Sequence, residues 1–223
     1  MRPRCLALDH DDTVVQSSPE IHYPSFLEAM RILRPERAGM GFDEFISYSC
    51  APGMHAFLTE VLALDAQEMR VEQEIWRKYT LSHTPDAYDG FAALLARFRA
   101  QGGYICVISH SEREIIERHY RELFGFLPDL IFGWEQPEHR RKPNPYPLEE
   151  TMRVFELRPE EILLVDDLTP GLAMAAACGV PSAYAGWSHT APAVGARVRP
   201  HATYAFDTVA ELAAFLEDGE GEE

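Results

Sequence analysis

The chain has 223 residues, 46% of them apolar and 25% charged, enough for one large domain or a domain with a smaller insert around a real core. Its formal net charge of −16 argues against nucleic acid and anionic membranes as partners, because both select cationic patches. No run of 18 apolar residues predicts a membrane span and no secretory signal pattern opens the chain. Cys5, Cys50, Cys106 and Cys178 have neither C-x-x-C nor zinc spacing, so buried thiols in a cytoplasmic protein are expected.

In chain order, the apolar run Cys5-Leu6-Ala7-Leu8 predicts a buried first strand over about Arg4–Asp9. It ends in Asp9 and Asp11, two carboxylates at i and i+2, followed by Thr13. Alternate residues of an extended chain project to the same side, so the two acids repel unless a cation or a proton lies between them.

From Val15 to about Thr84 no strand is predicted. Helical patterns run over Phe26–Leu33, Phe42–Tyr48, Met54–Leu64 and Gln67–Ser82, with Ser18 as an N-cap before Pro19 and Pro24 bending or restarting the helix. Residues 17–83 therefore read as a helical module, with crossings near Val14–Ser18 and Ser82–Asp89. Residues 1–16 and 84–216 read as the core.

Beyond the module, strands are predicted over Tyr104–Ser109, Leu130–Trp134, Ile162–Asp166 and Ser182–Tyr184. Helices are predicted over Gly90–Ala100, Glu112–Phe124, Pro147–Phe155 and Leu172–Cys178. Strand–helix alternation predicts an α/β fold, a Rossmann-like parallel sheet with helices on both faces, whose ligands bind beyond the carboxyl ends of the strands. The stretch 217–223 holds five acids and no base and is expected to be a disordered tail. The nine histidines show no H-x-x-x-H spacing and read mostly as surface or cap residues.

The predicted strand ends share a chemistry. The first supplies Asp9 and Asp11, the second Ser109-His110-Ser111, the fourth Asp166-Asp167, and Lys142 precedes a helix in Lys142-Pro143-Asn144-Pro145. Singly, these read as a turn, a helix N-cap, a solvated loop and a surface lysine. Together, at one sheet edge, they offer carboxylates for a hard divalent cation, amides and a hydroxyl for an anion, and an ammonium. That is a set for phosphoryl transfer with a carboxylate nucleophile. The chain has 18 arginines and only two lysines, Lys78 and Lys142, which suggests that position 142 needs a compact point charge.

From Cys5 to about Leu216 the sequence resembles the haloacid dehalogenase superfamily of phosphohydrolases. Leu8-Asp9-His10-Asp11-Asp12-Thr13, Val107-Ile108-Ser109, Lys142-Pro143-Asn144-Pro145 and Leu164-Val165-Asp166-Asp167 look like its four motifs, and the insert resembles its helical cap. The resemblance implies a nucleophilic Asp9 that forms an aspartyl-phosphate, and Asp11 as general acid and then base. It implies that Thr13 positions the transferring group, and that Ser109, His110 and Lys142 bind the phosphoryl oxygens. It implies Mg2+ held by Asp9, Asp167 and the Asp11 carbonyl, with Asp166 as a direct or supporting ligand. Asp12 stands where many members have glycine, and Gly171 where one subtype has a further acid.

The expected function is a magnesium-dependent phosphatase acting on a small phosphorylated metabolite, as a monomer or homodimer. The alternatives are a sugar-phosphate mutase, a receiver-like signalling module and a catalytically silent binding protein. By the same resemblance Asp11 argues against carbon–halogen cleavage, and phosphonate cleavage would need a cap lysine for a Schiff base; Lys78 is the one candidate, and its helical context, Trp76-Arg77-Lys78-Tyr79, does not place it at a site entrance. Arg31, Arg34, Arg37 or the turn Cys50–Gly53 are the candidates for reading the leaving group.

Overall fold

A computed structural model describes residues 3–189 and 191–218. Six parallel strands form one sheet in the order β3-β2-β1-β4-β5-β6. They are β1 (Cys5–Leu8), β2 (Tyr104–Ile108), β3 (Leu130–Phe132), β4 (Ile162–Asp166), β5 (Ser182–Ala185) and β6 (Tyr204–Phe206). β1 is central, with Leu8 opposite Val107 of β2 and Val165 of β4. Five strands match the expected ones. β6 is the addition, a short edge strand.

The period of two along β1 sorts its side chains to opposite faces. Cys5 and Ala7 join one buried cluster and Leu6 and Leu8 the other. Helices α5 (Phe91–Ala100), α6 (Arg113–Phe124) and α10 (Val209–Asp218) cover the Leu6–Leu8 face through Leu95, Ile116 and Leu212. Helices α7 (Tyr146–Phe155), α8 (Thr169–Cys178) and α9 (Pro192–Val198) cover the other through Leu148, Leu172 and Val198. Burial on both faces explains why the strands read as continuous apolar runs rather than alternating ones. α10 carries the chain through Glu217 and Asp218, so the acidic stretch begins as helix; its remainder lies outside the described residues.

Between β1 and α5 the chain builds α1 (Tyr23–Leu33), α2 (Phe42–Tyr48), α3 (Met54–Ala56) and α4 (Ala66–Ser82). A wide helical turn, Ser18–His22, leads into α1, so the restart at Pro24 falls where a proline at the first turn costs nothing. Ser18 is not the N-cap the sequence suggested. Its N–H donates to Asp12 Oδ1 at 2.7 Å and its hydroxyl donates to Asp12 Oδ2. The segment packs on Phe26, Phe45 and Phe57, and Tyr48 stacks on Phe57 at 4.2 Å. Asp65 opens α4 with a capping box, accepting from Gln67 and Glu68 amides while Glu68 accepts the Asp65 N–H.

The two crossings are laced together. Val15 bridges Ala87 antiparallel, Gln16 N–H donates to the Asp86 carbonyl at 2.9 Å, and Tyr88 N–H to the Val14 carbonyl at 3.1 Å.

Candidate active site

Parallel strands put their carboxyl ends at one edge, and the paired registers of β1 and β4 bring Asp9 and Asp166-Asp167 together there. Lys142, from the loop before α7, is buried between them. Its Nζ lies 2.6 Å from Asp9 Oδ1 and 2.8 Å from Asp166 Oδ2. Oxygens of Asp9, Asp166 and Asp167 all lie within 4.8 Å of one another. One ammonium among three buried carboxylates leaves the pocket net negative. Burial disfavours the lysine charge, but Asp166 and Asp9 outweigh it and hold Lys142 firmly protonated. Burial also holds the Asp9 carboxyl well above the usual range. Lys142 pulls it down, and Asp166 and Asp167 push it further up.

That surplus of negative charge, on hard oxygen donors alone, fits a divalent magnesium ion. The donors differ in what they already hold. Asp166 accepts the Leu168 N–H on Oδ1 at 2.9 Å and Lys142 on Oδ2, so it orients the lysine. Asp167 Oδ1 accepts the Thr13 hydroxyl at 3.2 Å, and its Oδ2 is 2.7 Å from His189 Nε2. The Thr13 side chain is thus turned to Asp167.

Gly171, in the first turn of α8, makes room for Asp166. A Cβ there would stand 1.9 Å from Asp166 Oδ2. The acid found at this position in one subtype therefore has no space while Asp166 takes this rotamer.

Asp11 is held by a different set of partners from the three-carboxylate cluster. The Ser17 hydroxyl donates to Oδ1 at 2.6 Å and the Ser111 hydroxyl to Oδ2 at 2.5 Å, while Ser109 Oγ is a longer 3.4 Å from Oδ2. His22 Nε2 lies 3.8 Å from Oδ1. Burial pushes the Asp11 carboxyl up, but His22 and the hydroxyls prevail and hold it well below the usual range. Ser109 accepts the Ser111 N–H at 3.0 Å. Asp12 adopts φ 59°, the left-handed turn expected at a glycine position, and its carboxylate anchors Ser18. His110 Nε2 sits 3.1 Å from the Lys142 carbonyl, fixing the lysine loop from its backbone side.

Several histidines sit in or under the site, contrary to the surface reading. His22 and His189 touch Asp11 and Asp167. His10, between Asp9 and Asp11, is fully buried with Nε2 2.9 Å from His119 Nδ1. Arg118 donates to His119 Nε2 at 3.1 Å. His119 Nδ1 therefore carries the proton and donates to His10, which leaves the His10 Nδ1 proton buried without a partner. Burial pushes His119 down to about 3, so this relay is neutral. Ser17, His22 and His189 were absent from the expected site, and Ser111 was named at its strand end without a role. Position was the available signal: all four follow a strand's carboxyl end within a few residues or open the inserted segment.

Above these residues lies a cavity of 810 Å3, walled by Asp9, Asp11, Lys142 and Asp167 below and by His22, Phe26, Phe45, Glu72 and Trp76 of the inserted segment above. Cys50–Gly53 also line it, as does Arg197 of α9. Arg31, Arg34 and Arg37 do not. Arg34 grips Glu68 at 2.6 and 2.9 Å, a structural fork within the segment. Lys78 points out of α4 to Glu28 at 3.5 Å and is absent from the cavity wall. No helix among the described residues is long and apolar enough to cross a membrane.

A curated phosphoglycolate phosphatase from Thiobacillus denitrificans is 23% identical over 186 residues, spanning 80% of this chain and 81% of that protein. Pyrophosphatase PpaX from Bacillus cereus is 21% identical over 225 residues, 98% of each chain. Among solved structures, one from Bacteroides fragilis assigned to the haloacid dehalogenase-like hydrolases superposes with a TM-score of 0.76 at 21% identity, over 95% of this chain and 100% of that one. The model of the haloacid dehalogenase-like hydrolase family matches residues 3–179, a span that includes Asp9, Lys142 and Asp167, and the chain belongs to the haloacid dehalogenase-like hydrolases.

Proposed function

We propose that the protein is a magnesium-dependent phosphatase that hydrolyses a small phosphomonoester through an aspartyl-phosphate on Asp9. The observation that carries this reading is the convergence of Asp9, Asp11, Lys142 and Asp167 at the floor of one cavity roofed by helices. The phosphatase names of the two relatives support hydrolysis over the mutase reading, which would use the same Asp9 and Asp11.

Asp9 attacks phosphorus, and the bond from phosphorus to the ester oxygen breaks. Asp11 delivers a proton to that oxygen. Its carboxyl is a weak donor while His22 and two hydroxyls stabilise the anion, and an arriving phosphate dianion raises its pKa toward a useful value. Water then attacks the aspartyl-phosphate, Asp11 takes its proton, and Asp9 is freed with inorganic phosphate. Lys142 pulls the Asp9 pKa down against burial, toward the ionised form that attacks, and offers its remaining proton to a phosphoryl oxygen. Magnesium, held by Asp9, Asp167 and the Asp11 carbonyl, would neutralise phosphate charge. Asp166 acts through Lys142, and Ser109 with Ser111 sets the Asp11 rotamer. Residues 17–83 act as a cap that excludes bulky esters and bulk water.

The test is a panel of small phosphate esters with magnesium, read by released inorganic phosphate, for the wild type and Asp9→Asn. Turnover by the wild type alone is expected. Comparable turnover by a folded Asp9→Asn protein would overturn the assignment.

A further inference from the structure

The roof of the cavity carries a carboxylate that phosphoryl transfer does not use. Glu72 of α4 lines the cavity, is half-buried, and among the described residues makes no hydrogen bond or ion pair. Burial pushes its carboxyl up to about 7, and only the field of His22 opposes this. An acid held there without a partner is a standing demand for a donor or a cation.

One turn along the same face of α4 is Trp76, also in the cavity wall. Its indole N–H donates to His22 Nδ1 at 3.0 Å and its ring stacks with the imidazole at a 21° tilt, so its position is fixed. Phe26 and Phe45, centroids 5.0 Å apart, supply further aromatic wall. A carboxylate beside a pinned indole recognises an ammonium, by charge on one side and by the ring quadrupole on the other. The other charged or titratable groups lining this cavity are Asp9, Asp11, Asp12, His22, Cys50, His55, His110, Lys142, Asp167 and Arg197. Arg197 is exposed on α9, and its charge is felt by Cys50 rather than by Glu72.

Resting on the phosphatase reading, we propose that the substrate is the phosphate monoester of an amino alcohol, its ammonium seated between Glu72 and Trp76. Hydrolysis then breaks the phosphorus–oxygen ester bond, water adds, and the products are the free amino alcohol and inorganic phosphate. A glycolate or pyrophosphate leaving group would instead set a second anion against Glu72.

The test compares three esters of similar size with magnesium: phosphoethanolamine, glycerol phosphate and phosphoglycolate, with p-nitrophenyl phosphate as a minimal donor. The expected order of kcat/KM puts phosphoethanolamine first, by about tenfold or more over phosphoglycolate. Glu72→Gln should remove that preference, mainly through KM, while glycerol phosphate stays within about twofold. Trp76→Leu should weaken the same preference, and circular dichroism checks both folds. An equal effect of Glu72→Gln on all three esters, or no amine preference in the wild type, overturns the proposal while turnover persists. Failure to hydrolyse even p-nitrophenyl phosphate would remove the phosphatase reading, and this inference with it.

Discussion

Gly171 and Asp166 compete for one space: a side chain at 171 would begin 1.9 Å from Asp166 Oδ2. That oxygen accepts from Lys142, and its partner oxygen accepts from the Leu168 amide. Asp166 cannot move aside without releasing both.

Gly171→Ala should therefore cost about 1–3 kcal/mol of stability by overpacking, and should lower kcat more than it alters KM. Thermal melts and steady-state kinetics check both. Wild-type kcat in the folded variant would show that Asp166 does not hold Lys142 in its working position.

The strands that set this geometry were legible because they are apolar runs buried on both faces, as Cys5–Leu8 shows. The carboxylates and lysine were legible because each directly follows such a run or precedes a helix. β6 was not, because three partly exposed residues at a sheet edge leave no pattern in Tyr204–Phe206. Nor was the role of Ser111, whose bond to Asp11 spans a separation of 100 residues, so the nearer strand-end hydroxyl of Ser109 attracted the reading. Ser18 was misread as a cap because Asp12, six residues back, takes its donors first.

Lys142→Arg should lower kcat by about 100-fold or more, because a guanidinium is too broad for a buried seat between two carboxylates. Lys78→Arg, on the exposed side of α4, should stay within about twofold. Parallel kinetics of the two variants decide the point. Equal effects would mean that the position of the lysine has no special demand.

Magnesium should raise the melting temperature and a chelator should lower it, because a bound cation favours the ionised form of Asp9 that burial resists. At a hundredfold excess over Kd the stabilisation is about 2.7 kcal/mol. Asp167→Asn should abolish the shift. A wild-type melt indifferent to magnesium would contradict the assignment of Asp9 and Asp167 as its ligands.

Glu72 should make stability fall with rising pH. Its folded pKa, about 7, lies above the unfolded value, so between roughly pH 4.3 and 7 the folded state binds the extra proton and loses relative stability as pH rises. Glu72→Gln removes that dependence. The variant should melt higher than the wild type at pH 8, and the gap should close toward pH 4. Denaturation at the two pH values measures it. A gap that does not change with pH would show that Glu72 ionises normally in the folded protein.

The scarcity of lysine has a practical corollary. Lys142 is buried, with 7% of its side chain exposed, whereas Lys78 is 72% exposed on α4. Amine-reactive dyes, crosslinkers and coupling resins thus meet one accessible side-chain amine, and it lies on the helical insert above the cavity rather than on the sheet. A fluorophore coupled there would sit on the roof, and once Trp76 of the same helix is replaced it would report the roof's displacement relative to Trp134 and Trp187 on the sheet domain, with no engineered cysteine and no reagent consumed at the reaction centre.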